Sequence, residues 1–148
     1  MTAAVPQIPA NPPEQVALRQ WLPVIVWGAL IFCLSTSAFS ASNTAKVIDP
    51  ILRWMLPGIS AAALDVGHML VRKSAHFGEY GVLFWLLIRG PMAERPYQAV
   101  MLCVVYALTD EGHQLFVPGR SASLYDVALD SSGALFSHFL ITAITELA

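Results

Sequence analysis

Apolar positions dominate four stretches of this chain, and polar residues interrupt three of them at one end only. Trp21 to Phe39 is a stretch of nineteen residues without a charge, close to the length that crosses about 30 Å of hydrocarbon. Trp21 and Trp27 lie toward its start, where aromatic residues anchor helices at a membrane interface. Lys73, His76 and Glu79 open the second apolar run. Asp110, Glu111, His113 and Gln114 close the third, and Asp126 and Asp130 enter the fourth. The pattern predicts an all-α integral membrane bundle with four transmembrane helices, over residues 21–41, 73–89, 97–117 and 123–145.

Punctuation between the runs supports this division. Asp49-Pro50 offers an N-cap acceptor followed by a first-turn proline, and Pro57-Gly58 ends the apolar stretch that follows. Ile51 to Leu56 is too short to span and predicts an interfacial helix between spans one and two, with Arg53 turned toward headgroups. A helix start near Ser60 leads through Arg72 into the second span. Arg89, Gly90 and Pro91 break that span, and Pro118-Gly119 separates the third from the fourth as an antiparallel hairpin. Residues 1–18, with Pro6, Pro9, Pro12 and Pro13, predict a disordered tail ahead of a membrane domain over 19–148. A cleavable signal peptide is the rival for the first run, because Ser35 to Ser42 is rich in small residues. The Pro-rich leader and a basic flank of Arg19 alone weigh against it.

Composition agrees with the membrane reading. The 148 residues make one domain. Only 12% are charged, half the share usual in soluble domains. A net charge of −2 carries no basic footprint for nucleic acid. Cys33 and Cys103 sit in apolar runs and give no disulfide framework.

Alternation of spans gathers what the sequence scatters. The start of span two, the end of span three and the start of span four must share one membrane face, opposite the N-terminus. Lys73, His76, Glu79, Asp110, Glu111, Gln114, Arg120, Asp126 and Asp130 therefore form one candidate site with unassigned roles. Intramembrane ionisable residues are costly and mark functional sites. Acids outnumber bases here, since Arg72, Lys73 and Arg120 face Glu79, Asp110, Glu111, Asp126 and Asp130. Outside the site, Arg19, Arg89 and Arg95 stand against Lys46 and Arg53. That small excess favours cytoplasmic termini by the positive-inside rule and an outward-facing site.

Other chemistries fit less well. His76 and Glu79, completed by Asp110, Glu111 and His113, offer nitrogen and oxygen ligands for a divalent metal. No His-Glu-x-x-His pattern or Cys/His cluster accompanies them, so no cofactor is predicted and the metal question is left open. Ser74, Ser121 and Ser123 lie near His76 but without a nucleophile elbow. His113 lies off the main face of its span, His138 reads as a packing residue, and Asp65 and His68 read as surface.

Lys73-Ser74-Ala75-His76-Phe77-Gly78-Glu79-Tyr80, then Asp110-Glu111 with Gln114, then Pro118-Gly119-Arg120 with Asp126, Asp130 and Gly133, resembles the VanZ-like membrane protein family over about residues 20–145. Asp130 stands where many members carry Asn. The resemblance implies a multi-pass protein of the bacterial cytoplasmic membrane, in a family whose namesake is associated with teicoplanin resistance. It supplies no reaction. The expectation is a site for an anionic envelope amphiphile, such as a lipid-linked cell-wall precursor or phospholipid. Lys73 and Arg120 would hold the anion, and Glu79, Asp110, Glu111 or Asp126 would exchange protons with His76. A proton- or ion-coupled transporter subunit and a structural clamp of ion pairs are the alternatives.

Overall fold

The computed structural model describes residues 13–120 and 122–147. Five α-helices make up the fold, with no strand among the described residues: α1 Pro13–Leu34, α2 Ala41–Met55, α3 Ala61–Arg89, α4 Pro96–Gln114 and α5 Leu124–Leu147. A single 3-10 turn, Ser37–Phe39, joins α1 to α2. Local chemistry explains the boundaries. Ser60 caps α3 by accepting a hydrogen bond from the Ala63 amide, and α4 opens on Pro96, whose fixed φ suits a first turn. Gly58 and Gly119 both adopt positive φ in the turns that follow α2 and α4.

The all-helical class is as the sequence predicts; the four-span arrangement is supported only in part. Among the described residues, Glu14–Leu34 and Leu124–Leu147 are long and apolar enough to cross a membrane. α3 and α4 fall short because polar residues fill the first half of one and the last turns of the other. Two expected boundaries also move. Residues 13–18, expected in the tail, are the first turns of α1, while residues 1–12 lie outside the described part. The helix expected between spans one and two begins at Ala41 rather than at Asp49-Pro50 and carries Pro50 inside it. Ser40 accepts the first backbone bond of that helix, from Thr44, so the polar Ser-Asn-Thr run is helical rather than loop.

α3 is the central element, with its most extensive contact against α5 and further contacts with α1, α2 and α4. Tyr80, Leu83, Phe84 and Leu87 form its buried stripe. Ala99, Val100, Cys103 and Ala107 of α4, Val127 and Ala134 of α5, and Val24 and Ile31 of α1 pack around it. The outer surface is apolar as well. Leu22, Ile25 and Val26 of α1 and Phe136, Phe139 and Ile144 of α5 are all exposed, a distribution compatible with helices that face lipid. Where lipid replaces water, apolar burial between helices drives little association, and packing and polar bonds matter more. Two aromatic donors fasten α1 accordingly: Trp27 Nε1 donates to the Glu79 carbonyl at 2.9 Å and Tyr106 Oη to the Gly28 carbonyl at 2.6 Å.

The three sectors of α2 differ in kind. Thr44, Ala45, Ile48, Asp49 and Leu52 are half-buried, on the side that packs against α3. Val47, Ile51 and Trp54 form an exposed apolar sector, and Lys46 and Arg53 lie between the two on the remaining arc. An apolar face beside a basic one is what holds a helix in a membrane interface.

Candidate functional site

α4 carries one buried stripe that changes character along its length. Ala99, Val100, Cys103 and Ala107 are followed at helical spacing by Asp110, Glu111 and Gln114, all buried. The neighbouring stripes change in the same place: Tyr80 of α3 gives way to His76 and Lys73, and Ala134 of α5 gives way to Asp130 and Asp126. Three helices therefore bring the polar ends of their core faces together, beneath the α1–α2 connection.

The nine sequence-predicted residues fall into linked groups. Lys73 pairs with Asp126, joining α3 to α5. His76 Nδ1 lies 3.2 Å from Asp130 Oδ1, and His76, Asp130 and Glu111 each offer a donor atom within 4.8 Å of the others. Asp110 Oδ2 accepts from Ser35 Oγ at 2.7 Å and from Gln114 Nε2 at 3.1 Å. Gln114 also reaches Glu111 Oε1 at 3.4 Å, and Glu111 Oε2 accepts from the Ser123 amide at 2.7 Å. Glu79 and Arg120 line a small pocket of about 120 Å³ together with His76 and Ser35.

Arg120 departs from the expected arrangement. Its guanidinium donates to the Leu34 and Thr36 carbonyls at the end of α1, so it fastens backbone instead of forking onto a carboxylate. Burial lowers its pKa, Arg72 adds to the effect, and Asp110, Glu79 and Glu111 oppose it. A guanidinium is effectively always protonated in proteins, so the side chain stays cationic at neutral pH.

Charge balance is uneven. Among the described residues, ion pairs reach two of the five site acids, Asp126 through Lys73 and Asp130 through His76. Asp130 is fully buried, and neither of its oxygens has a hydrogen-bond partner; Tyr80 Oη and Asp110 Oδ1 are also without one. Buried polar atoms in this condition are few in native proteins and call for an account.

A larger cleft of about 540 Å³ opens beside the cluster between α2 and α3. Arg53, Arg72 and Lys73 stand on its wall, and His76 lines both this cleft and the small pocket. His68, read from sequence as surface, is half-buried and pairs with Asp49 across the α2–α3 contact. Sequence reasoning also missed Ser35 as a site neighbour, whereas Arg72, counted there among the site's bases, lines both pockets. Ser35 sits in the small-residue run read as a possible cleavage region, and its burial was the feature no local pattern exposed. His138 packs among the rings of Phe84, Tyr97 and Phe139, and His113 stacks on Phe32 at 4.4 Å. Ser121 lies outside the described residues.

A family model described as VanZ/LLP1 matches residues 20–145. That match covers all of the helical domain except its two ends, and the chain belongs to this family. No curated protein and no solved structure matches the chain.

Proposed function

We propose that this VanZ/LLP1 family member spans the bacterial cytoplasmic membrane four times, with cytoplasmic termini, and binds the anionic head of an envelope amphiphile in the α2–α3 cleft. The observation that carries the proposal is the makeup of that cleft. Arg53, Arg72 and Lys73 line it together with Asp49, Asp65 and Asp126, of which Asp49 is paired with His68 and Asp126 with Lys73, and one of its walls is a helix whose outer sector is apolar. A phosphate in the cleft would meet two guanidinium groups suited to bidentate contact. The acyl or polyprenyl chain would leave along the exposed Val47, Ile51 and Trp54. Lipid-linked cell-wall precursors and phospholipids share this chemistry, and an effect on glycopeptide susceptibility would follow from the former.

Arg120 belongs to the scaffold in this reading, and Lys73 is shared between Asp126 and the ligand. Lys73–Asp126 and the Arg120 bonds also favour a second reading, a structural clamp whose polar groups only hold the helices. The two readings separate by experiment. In nanodiscs of zwitterionic lipid doped with phosphatidic acid or a polyprenyl phosphate, the purified chain should retain the anionic lipid selectively. Arg72→Ala should lower that retention about tenfold, consistent with a charge-assisted contact of about 1.5–3 kcal/mol, while leaving thermal unfolding unchanged. Equal retention by Arg72→Ala and the parent would refute amphiphile binding here. A preference between the two dopants tells precursor from phospholipid.

A further inference from the structure

We propose that His76, Glu111 and Asp130 hold a divalent first-row cation, Mn²⁺ or Zn²⁺, at the floor of the cleft. The inference goes beyond amphiphile binding and stands on separate observations. One imidazole nitrogen and two carboxylate oxygens, from three different helices, lie within 4.8 Å of one another. Ligands about 2.0–2.2 Å from a common ion stand at most about 4.4 Å apart, so a small inward adjustment completes the set. A mixed imidazole and carboxylate donor set suits Mn²⁺ or Zn²⁺ and disfavours soft ions such as Cu(I).

The independent observation is Asp130 itself. It is fully buried, both oxygens lack a hydrogen-bond partner, and the ion pair it makes among the described residues is with the His76 ring at 3.2 Å. Buried carboxylates are ordinarily paired, hydrogen-bonded or bound to metal. Asp130 has only the first, through a ring whose Nδ1 is itself without a hydrogen-bond partner. A cation between the three groups would satisfy Asp130 and offset the charge of Glu111.

The surroundings already have the form of an outer shell. Glu111 Oε2 is fixed by the Ser123 amide and its Oε1 by Gln114, which is held in turn by Asp110. Such partners orient ligands and raise metal affinity. His76 borders the 540 Å³ cleft, which supplies an entry path for a hydrated ion.

The test uses the full chain in detergent, stripped with chelator and titrated with Mn²⁺ alone, with no lipid added. Electron paramagnetic resonance should count one bound Mn²⁺ per chain, with nitrogen modulation from a single imidazole, and Zn²⁺ should displace it. Asp130→Asn should weaken binding at least tenfold, whereas Asp126→Asn, which removes an acid paired with Lys73, should change it less than twofold. His76→Gln should remove the nitrogen signal, and His68→Gln should keep it. Bound Mn²⁺ below about 0.1 per chain, or no nitrogen modulation in the unaltered protein, would overturn the proposal without recourse to any variant. Equal weakening by Asp126→Asn and Asp130→Asn would overturn it too, as diffuse attraction to acidic groups. Metal binding can be lost here while selective lipid retention persists, or the reverse, so failure of one proposal is distinguishable from failure of the other.

Discussion

Gly133→Ala is expected to leave little folded protein. Gly133 lies on the α5 face that meets α3, where the helices approach so closely that an added Cβ would overlap the Phe77 carbonyl oxygen and lie 2.9 Å from its carbon. The obstacle is helix backbone, which cannot rotate away as a side-chain tip would. α3 and α5 share the most extensive contact in the fold, so parting them also disturbs Lys73–Asp126 and His76–Asp130. Overpacking a tight core typically costs about 1–3 kcal/mol and sometimes more, and this site belongs at or above the upper end. Against a total stability of about 5–15 kcal/mol, that loss is large. The check is thermal unfolding and monodispersity of the purified protein. Gly78→Ala is the control, since a Cβ there meets nothing within 4 Å. Exchanging a mid-helix glycine for alanine should stabilise by about 0.5–1 kcal/mol. Similar behaviour of the two variants would show that the α3–α5 approach is looser than described.

Arg120→Ala is the second large effect. The guanidinium bridges from the α4–α5 turn to the Leu34 and Thr36 carbonyls, among the last carbonyls of α1 and of the turn after it, where helix geometry leaves acceptors unsatisfied. Removing it should cost about 1.5–3 kcal/mol, the range for hydrogen bonds to a charged group. The expected signature is local. Amide hydrogen exchange should rise over residues 33–44 and stay unchanged in the second half of α3. Arg120→Lys should not restore protection, because an ammonium cannot fork between two carbonyls. Unchanged exchange in Arg120→Ala, together with lost lipid retention, would instead make Arg120 a ligand-binding group.

Both variants touch places that were only partly legible in the sequence. Helix starts and stops were readable at Ser60, Pro96 and the Pro-Gly turns, since caps and fixed φ values act within a few residues. Residues 41–50 are where local pattern and tertiary packing disagree. Prolines and small polar residues lower helix propensity, and the packing of Thr44, Ala45, Ile48 and Leu52 against α3 overrides that preference. The site was legible as a set, because the spacing of Asp110, Glu111 and Gln114 and of Asp126 and Asp130 puts each group on one helix face. Partner choice was not. Nothing local distinguishes Arg120 donating to carbonyls from Arg120 binding phosphate, or reveals that Ser35 reaches Asp110 across 75 positions. Those contacts depend on how α1 is placed, and α1 is apolar from Trp21 to its end at Leu34.

The division of α2 into three sectors ties the cleft to the bilayer. In the proposed placement, Trp54 and its apolar neighbours float at headgroup level, while α3 is held in depth by the bundle. The opposite walls of the cleft are then referenced to two different things, one to the lipid surface and the other to the protein. A thinner or more curved membrane would shift α2 along α3 and change the gap between Arg53 and Arg72, so lipid environment would tune headgroup capture before any ligand arrives.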